Sequence, residues 1–119
     1  MSNIWGTTLE LVDRTGSLNK AQSVPNDDGT YTYVISPTDP GTANWIDSDG
    51  LREGILTLRM AEFGGDGPTP GLGAKGRVVA LDKIDTEVPA LRRVTAEERK
   101  TELAERRTAY LRRLPEGTI

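Results

Sequence analysis

Apolar and polar residues alternate along several short stretches of the chain. In residues 55–60, ILTLRM, every second side chain forms one apolar row. A two-residue period is that of a strand with one face in a core. Residues 4–12, 30–36 and 77–84 show similar alternation or a β-branched and aromatic content typical of strands. These patterns predict strands separated by turns.

The predicted strands are divided by segments rich in turn-forming residues. Asp and Gly at 13–16, and Pro, Asn, Asp and Gly at 25–29, predict tight turns, the second within a β-hairpin that ends in 30–36. Residues 62–76 hold many glycines and predict a long loop between sheets. Residues 71–76 match GxGxxG, but a nucleotide site needs a preceding strand and a following helix. The loop interpretation is therefore favoured.

Residues 95–114 carry the signals of an amphipathic helix. Thr95 and Glu98 have the spacing of a capping box, and Pro115 follows the last turn. Acidic residues in the first turn and arginines in the last suit the helix dipole. The arginine-rich face is interpreted as a solvated or partner-facing surface. The narrow apolar stripe consists of Leu103, Tyr110, Leu111 and Leu114.

Together these elements predict a mainly β protein. We expect an antiparallel β-sandwich of about five to seven strands with one C-terminal α-helix over residues 96–113. The sandwich domain is assigned to residues 1–93. Residues 94–119 form the helix and tail, either as part of the same domain or as the arm of a dimer.

The composition favours self-association. The chain has 119 residues, of which 35% are hydrophobic and 5% aromatic, so we expect one domain with a thin core. Residues 1–91 carry 7 basic and 13 acidic side chains, whereas residues 92–119 carry 8 basic and 5 acidic. We expect a homodimer in which the apolar stripe of the helix forms the interface, although the helix can also pack on its own chain.

The composition also limits the function. The chain has no cysteine and no histidine, and this removes thiol chemistry and the commonest general base and metal ligand. We expect no cofactor and no metal. The three nearby carboxylates of Asp47, Asp49 and Glu53 nevertheless suit a hard cation. A net charge of −3 predicts no nucleic-acid or membrane binding. Without a signal-peptide core, a cytoplasmic location is expected.

The stretch 41–60 contains the candidate site residues. Asn44 and Trp45 precede a polar turn that includes Asp47, and Arg52 and Arg59 follow it. One interpretation is a structural corner made of Asn44, Trp45 and Arg59, in which the indole closes the core and Arg59 pairs with Asp47 or a carbonyl. The alternative is a ligand site in which Trp45, Asp47, Arg52 and Arg59 bind a small anionic or sugar-like molecule.

The chain resembles the bacterial domain of unknown function 1214 family over roughly residues 4–60. The resemblance is carried by Trp5 with the Thr-Leu-Glu-Leu segment, DDGTYTYVIS at 27–36, Pro-Gly at 40–41, Asn-Trp-Ile at 44–46 and GILTLR at 54–59. It implies an antiparallel, jelly-roll-like β-sandwich, usually at the C-terminal end of longer proteins. The Gly/Pro-rich loop and the charged helix depart from the family pattern. The resemblance implies no defined activity.

Two classes of function follow. The first is a non-catalytic binding or assembly module, since the chain lacks histidine and cysteine, has a thin core and carries an uneven charge. The second is a small-molecule binding protein or a carboxylate-based enzyme that uses the region around Trp45 and Arg59. Carboxylate pairs catalyse acid–base reactions without histidine. The balance favours the non-catalytic module.

Overall fold

Regular secondary structure occupies a small part of the chain. The computed structural model describes residues 1–60, 65, 67 and 72–115. In chain order the elements are a 3₁₀ turn at Lys20–Gln22, strands β1 (Val34–Ser36) and β2 (Trp45–Asp47), a 3₁₀ turn at Leu81–Lys83, and helices α1 (Ile84–Glu87) and α2 (Ala96–Leu111).

The two strands form a small parallel sheet. Val34 pairs with Trp45, and Ser36 pairs with Asp47. The connection between the strands includes Gly41 and Asn44, whose φ angles of 68° and 57° lie in the left-handed region. Glycine and asparagine tolerate this region better than other residues, so the loop can return the chain to run beside β1.

The predicted antiparallel, jelly-roll-like β-sandwich is wrong. The described residues contain one two-stranded sheet, and its strands are parallel. Residues 30–36 contribute only β1, and residues 55–60 contribute a single bridge between Ile55 and Ser2. An alternating pattern specifies which side chains share a face, but it does not supply a partner strand. The described residues within 1–93 therefore do not form the predicted sandwich.

The predicted N-terminal strand is replaced by a turn. The side-chain oxygen of Asn3 accepts hydrogen bonds from the amides of Trp5 at 2.9 Å and Thr7 at 3.0 Å. Gly6 lies between them with φ of 80°. A side chain that bonds the nearby backbone in this way competes with strand pairing. As a result the Trp5 side chain is 84% exposed instead of facing a core.

The turn predicted at 25–29 is present without the flanking hairpin strands. The Asn26 amide donates to the Thr30 carbonyl at 2.7 Å, and Gly29 has φ of 84°. Hydrogen bonds from the Thr30 hydroxyl and amide hold the pKa of Asp28 below its usual value, because they favour the carboxylate. This turn is stabilised locally and does not require a sheet.

The predicted C-terminal helix is observed as α2. The Thr95 hydroxyl accepts from the Glu98 amide at 3.1 Å, and the Glu98 carboxylate accepts from the Thr95 amide, which completes the capping box.

The single-turn helix α1 begins at Ile84, where the sequence predicted the end of a strand. In the described part of the chain, no helix has the length and apolar character needed to cross a membrane. Most of the predicted loop at 62–76 lies outside the described residues, as do residues 116–119.

Among the described residues, more polar than hydrophobic side chains are buried. The buried hydrophobic residues of this set are Ala43, Trp45, Ile46 and Ile84. Buried polar groups cost free energy unless they are hydrogen-bonded, so the partners of these side chains determine whether the fold holds together. The buried polar or charged residues are Thr15, Ser23, Ser36, Thr42, Asn44, Asp47, Ser48 and Arg99.

Candidate functional site

Arg99 lies at the centre of the interior, and its side chain is 5% exposed. Its guanidinium carbon is 5.1 Å from the centre of the Trp45 ring, within the range of a cation–π contact. Two of its nitrogens donate to the Asp39 carboxylate at 3.0 and 3.2 Å. It also donates to Glu102 at 2.6 Å and to the Thr42 carbonyl. We call these five residues the arginine cluster.

The cluster forms because α2 begins beside the loop that connects the two strands. The Ala43 amide donates to the Arg92 carbonyl, and the Val94 amide donates to the Gly41 carbonyl, both at 2.9 Å. These bonds hold residues 92–94 along the loop. The first turn of α2 therefore places Arg99 over β2, and its guanidinium reaches the loop that carries its partners.

Asn44 and Trp45 tie β2 to neighbouring segments. The Trp45 indole nitrogen donates to the Ser36 carbonyl at 3.1 Å on the paired strand. The Asn44 side chain accepts from the Val24 amide at 2.8 Å and donates to the carbonyls of Val24 and Thr32 at 2.8 and 3.0 Å. One buried side-chain amide thus joins β2 to two other segments of the backbone and satisfies three of their polar groups.

Asp47 pairs with Arg14, which the sequence analysis did not single out. The Arg14 guanidinium contacts Asp47 at 3.1 Å and Asp49 at 3.2 Å. The Asp47 side chain also accepts from the Asp49 amide at 2.8 Å, and the Asp47 amide donates to the Thr15 carbonyl at 3.1 Å. These contacts hold the two predicted turns, 13–16 and 47–50, against each other.

The four predicted ligand residues do not form a common surface. Trp45 and Asp47 are buried and have internal partners, whereas Arg52 and Arg59 are exposed. Of the predicted structural corner, Asn44 and Trp45 are adjacent in the interior. The arginine that contacts Asp47 is Arg14, where Arg59 was one predicted partner. The Trp45 ring is covered by a guanidinium, so it offers no free face to a ligand.

A second set of arginines attaches α2 to the N-terminal part of the chain. Arg106 donates to the Leu11 carbonyl at 3.1 Å and to the carbonyl and hydroxyl of Ser17 at 2.7 and 3.1 Å. Arg107 donates to both carboxylate oxygens of Asp13 at 2.6 and 2.9 Å. The helix is thus bound to its own chain along its length.

The environment of Arg106 is partly shielded from solvent. Burial lowers the pKa of the Arg106 guanidinium, because it disfavours the charged form, while the carboxylates of Glu102 and Glu10 act in the opposite direction. Arginine remains charged at neutral pH despite such a shift. Arg106 therefore acts as a permanent donor to the backbone of the N-terminal segment.

The apolar stripe of α2 and the residues just after it, which was predicted to form a dimer interface, is half-buried in the described structure. Tyr110, together with Leu11, Leu18 and Arg106, lines a cavity of about 300 Å³ between α2 and the N-terminal segment. The sequence pattern did not indicate that arginines dock the helix on its own chain. The burial of Arg99 was not expected. Arg99 lies seven residues before Arg106, which places both side chains on one face of the helix. The half-buried stripe residues are Leu103, Tyr110, Leu111 and Leu114.

Residues 54–60 form an exposed, strand-patterned segment that we call the open edge. Ile55 exchanges two backbone hydrogen bonds with Ser2, each of 2.9 Å. The side chains of Ile55, Leu56, Leu58 and Met60 are all exposed, and that of Leu58 is 53% exposed. Several apolar side chains exposed on one short segment are typical of a protein-binding surface.

A second cavity lies beside Asn44. Its volume is about 310 Å³, and its lining includes Asn26, Asp27 and Arg92. Arg52 and Arg59 are not among its lining residues.

Over residues 1–60 and 72–115, no group of three or more acidic side chains has an arrangement suited to a metal ion. Asp47 and Asp49, which suggested a cation site, both contact Arg14 instead.

Comparisons with protein-family models, curated proteins and solved structures gave no match to this chain. The resemblance to the domain of unknown function 1214 family therefore stays a prediction from the residues that carry it.

Proposed function

We propose that the protein is a non-catalytic assembly module that forms a homodimer through the open edge. The observation that carries this proposal is the exposure of four large apolar side chains on one short segment, which within the described residues is bridged by backbone hydrogen bonds only at Ile55. The cytoplasmic location expected from the sequence belongs to the same proposal.

The polar groups of the interior support a structural role. The Arg99 guanidinium is bonded to Asp39, Glu102 and a backbone carbonyl, and the Asp47 carboxylate is bonded to Arg14. A catalytic acid or base needs contact with its substrate. Here the hydrogen bonds of these groups join segments of the chain to one another, which favours a non-catalytic module over an enzyme.

The docking of α2 changes the surface assigned to the dimer. Arg99, Arg106 and Arg107 bind the helix to its own chain, and the stripe residues are half-buried against it. A dimer formed through α2 has only the part of this stripe that its own chain leaves exposed. The open edge has no such restriction, since its side chains are exposed already. We therefore propose the open edge as the interface.

The variant Leu58→Asp tests this proposal. The Leu58 side chain is exposed, so a charge there should leave folding of the monomer unchanged but should prevent burial at an interface. We expect wild-type protein to show a dimer mass by light scattering and the variant to show a monomer mass. Thermal unfolding of the dilute proteins should coincide.

Leu81→Asp is the matched control, because Leu81 is also exposed but lies outside the open edge. It should keep the dimer mass. A wild-type protein that stays monomeric at every concentration would contradict the proposal, as would a dimer that both variants weaken equally.

A further inference from the structure

We infer that the open edge pairs with the same segment of a second copy, antiparallel, with the two-fold axis at Leu56. This inference rests on the proposed function and specifies its partner and register. It is derived from the direction of the backbone groups, from the positions of the charges and from the exposure of the apolar side chains.

The bridge to Ser2 determines which backbone groups face outward. Ile55 directs both its amide and its carbonyl toward Ser2. Ile55 is the one residue of this segment in a β-bridge. When a second strand pairs with the segment, successive residues point to opposite edges, so Gly54, Leu56 and Leu58 then direct their backbone groups away from Ser2. Among the described residues, these three have no backbone hydrogen-bond partner. A second strand can therefore pair along this side.

The charges select one register. With the two-fold axis at Leu56, each copy brings Glu53, which lies in the bend just before the open edge, beside Arg59 of the other copy, and this happens twice by symmetry. Opposite charges that face each other across paired strands attract. A shift of the axis by one or two residues in either direction places Glu53 opposite an uncharged residue, and a shift by three toward the N-terminus places the two glutamates opposite each other. The register centred on Leu56 thus neutralises both charges.

The same register brings the apolar side chains together. Leu56 meets Leu56 of the second copy, and Leu58 lies opposite Gly54, beside the Met1 side chain that packs over this glycine. Both residues, with Met60, then form one continuous apolar row across the two copies. The pairing uses main-chain hydrogen bonds for affinity and side-chain pairs for register, as in other strand-addition interfaces. An isologous contact of this kind closes as a dimer.

Single cysteine variants test the register directly, because the chain has no cysteine of its own. Two residues at position 56 should have Cα atoms about 5.5 Å apart, which is within the range of a disulfide. Two residues at position 58 should be about 13 Å apart, since four residues separate them along the strand. Under mild oxidation we expect Leu56→Cys to form a covalent dimer roughly tenfold faster than Leu58→Cys.

Charge reversal provides a second test. Glu53→Arg and Arg59→Glu should each weaken dimerisation by roughly tenfold, because each creates two like-charge pairs. The double variant Glu53→Arg with Arg59→Glu should restore the wild-type dissociation constant. Arg52→Glu is the control, since Arg52 faces Met60 in this register and should change dimerisation little.

The outcomes separate the register from the proposed function. A dimer that cross-links equally at both positions, or that the double variant fails to restore, overturns this register but leaves the assembly module in place. A protein that is monomeric by light scattering overturns both. Selective cross-linking at position 56 together with charge restoration supports the inferred pairing.

Discussion

Replacement of Trp45 by alanine is expected to lower the free energy of unfolding by about 3–5 kcal/mol. The Trp45 side chain is 7% exposed and is one of four buried hydrophobic residues in the described structure. Its loss removes the surface under Arg99 and leaves the Ser36 carbonyl without its indole donor. Trp45→Phe keeps an aromatic ring but loses that donor, so it should have a smaller effect of about 1–2 kcal/mol.

Chemical denaturation followed by circular dichroism measures these changes. Trp5→Ala is the matched control, because the only other tryptophan is 84% exposed and should contribute little to stability. The same control variant leaves Trp45 as the sole indole, so its fluorescence reports directly on the interior. Equal stabilities of Trp45→Ala and Trp5→Ala would show that Trp45 is not a core residue.

Replacement of Arg99 by alanine is expected to lower the free energy of unfolding by about 2–4 kcal/mol. This is less than for a fully buried ion pair, because the Asp39 side chain is 40% exposed. The substitution removes the contact with the Trp45 ring and the donors to Asp39, Glu102 and the Thr42 carbonyl. The loss should also release the first turn of α2 from the loop between the strands.

Arg99→Lys distinguishes the guanidinium geometry from its charge. Lysine keeps the charge but cannot make the two-nitrogen contact with Asp39, so it should recover only part of the lost stability. Lys100→Ala is the control on the same helix, since Lys100 is exposed. If the Arg99 and Lys100 variants unfold at the same denaturant concentration, the arginine cluster does not stabilise the fold.

Helix α2 was predictable because its signals are local. The capping box of Thr95 and Glu98 lies within four consecutive residues, and the structure contains both of its hydrogen bonds. Strand pairing was not predictable from the same sequence, since the two-residue period specifies faces and not partners. At residues 3–7, the Asn3 side chain and the positive φ of Gly6 produced a turn instead of a strand.

The interior was predictable only in part. Trp45 stood out because large aromatic residues are rare in this chain, and Asn44 stood out beside it. Their partners were not apparent, since Arg99 is 54 residues away from Trp45 in sequence and Arg14 is 33 residues away from Asp47. A buried arginine is uncommon, so sequence patterns assign such residues to the surface. Long-range ion pairs of this kind require a three-dimensional structure.

Residue-resolved hydrogen exchange, measured at low and high protein concentration, tests the central claim most directly. In a dimer paired along the open edge, the amides of Gly54, Leu56 and Leu58 should become protected as concentration rises, while that of Thr57 should continue to exchange. The Ile55 amide should be protected at both concentrations, because its partner Ser2 belongs to the same chain. Exchange of the three outward-facing amides that is rapid at every concentration, or protection that rises equally at Thr57, would contradict the proposed assembly.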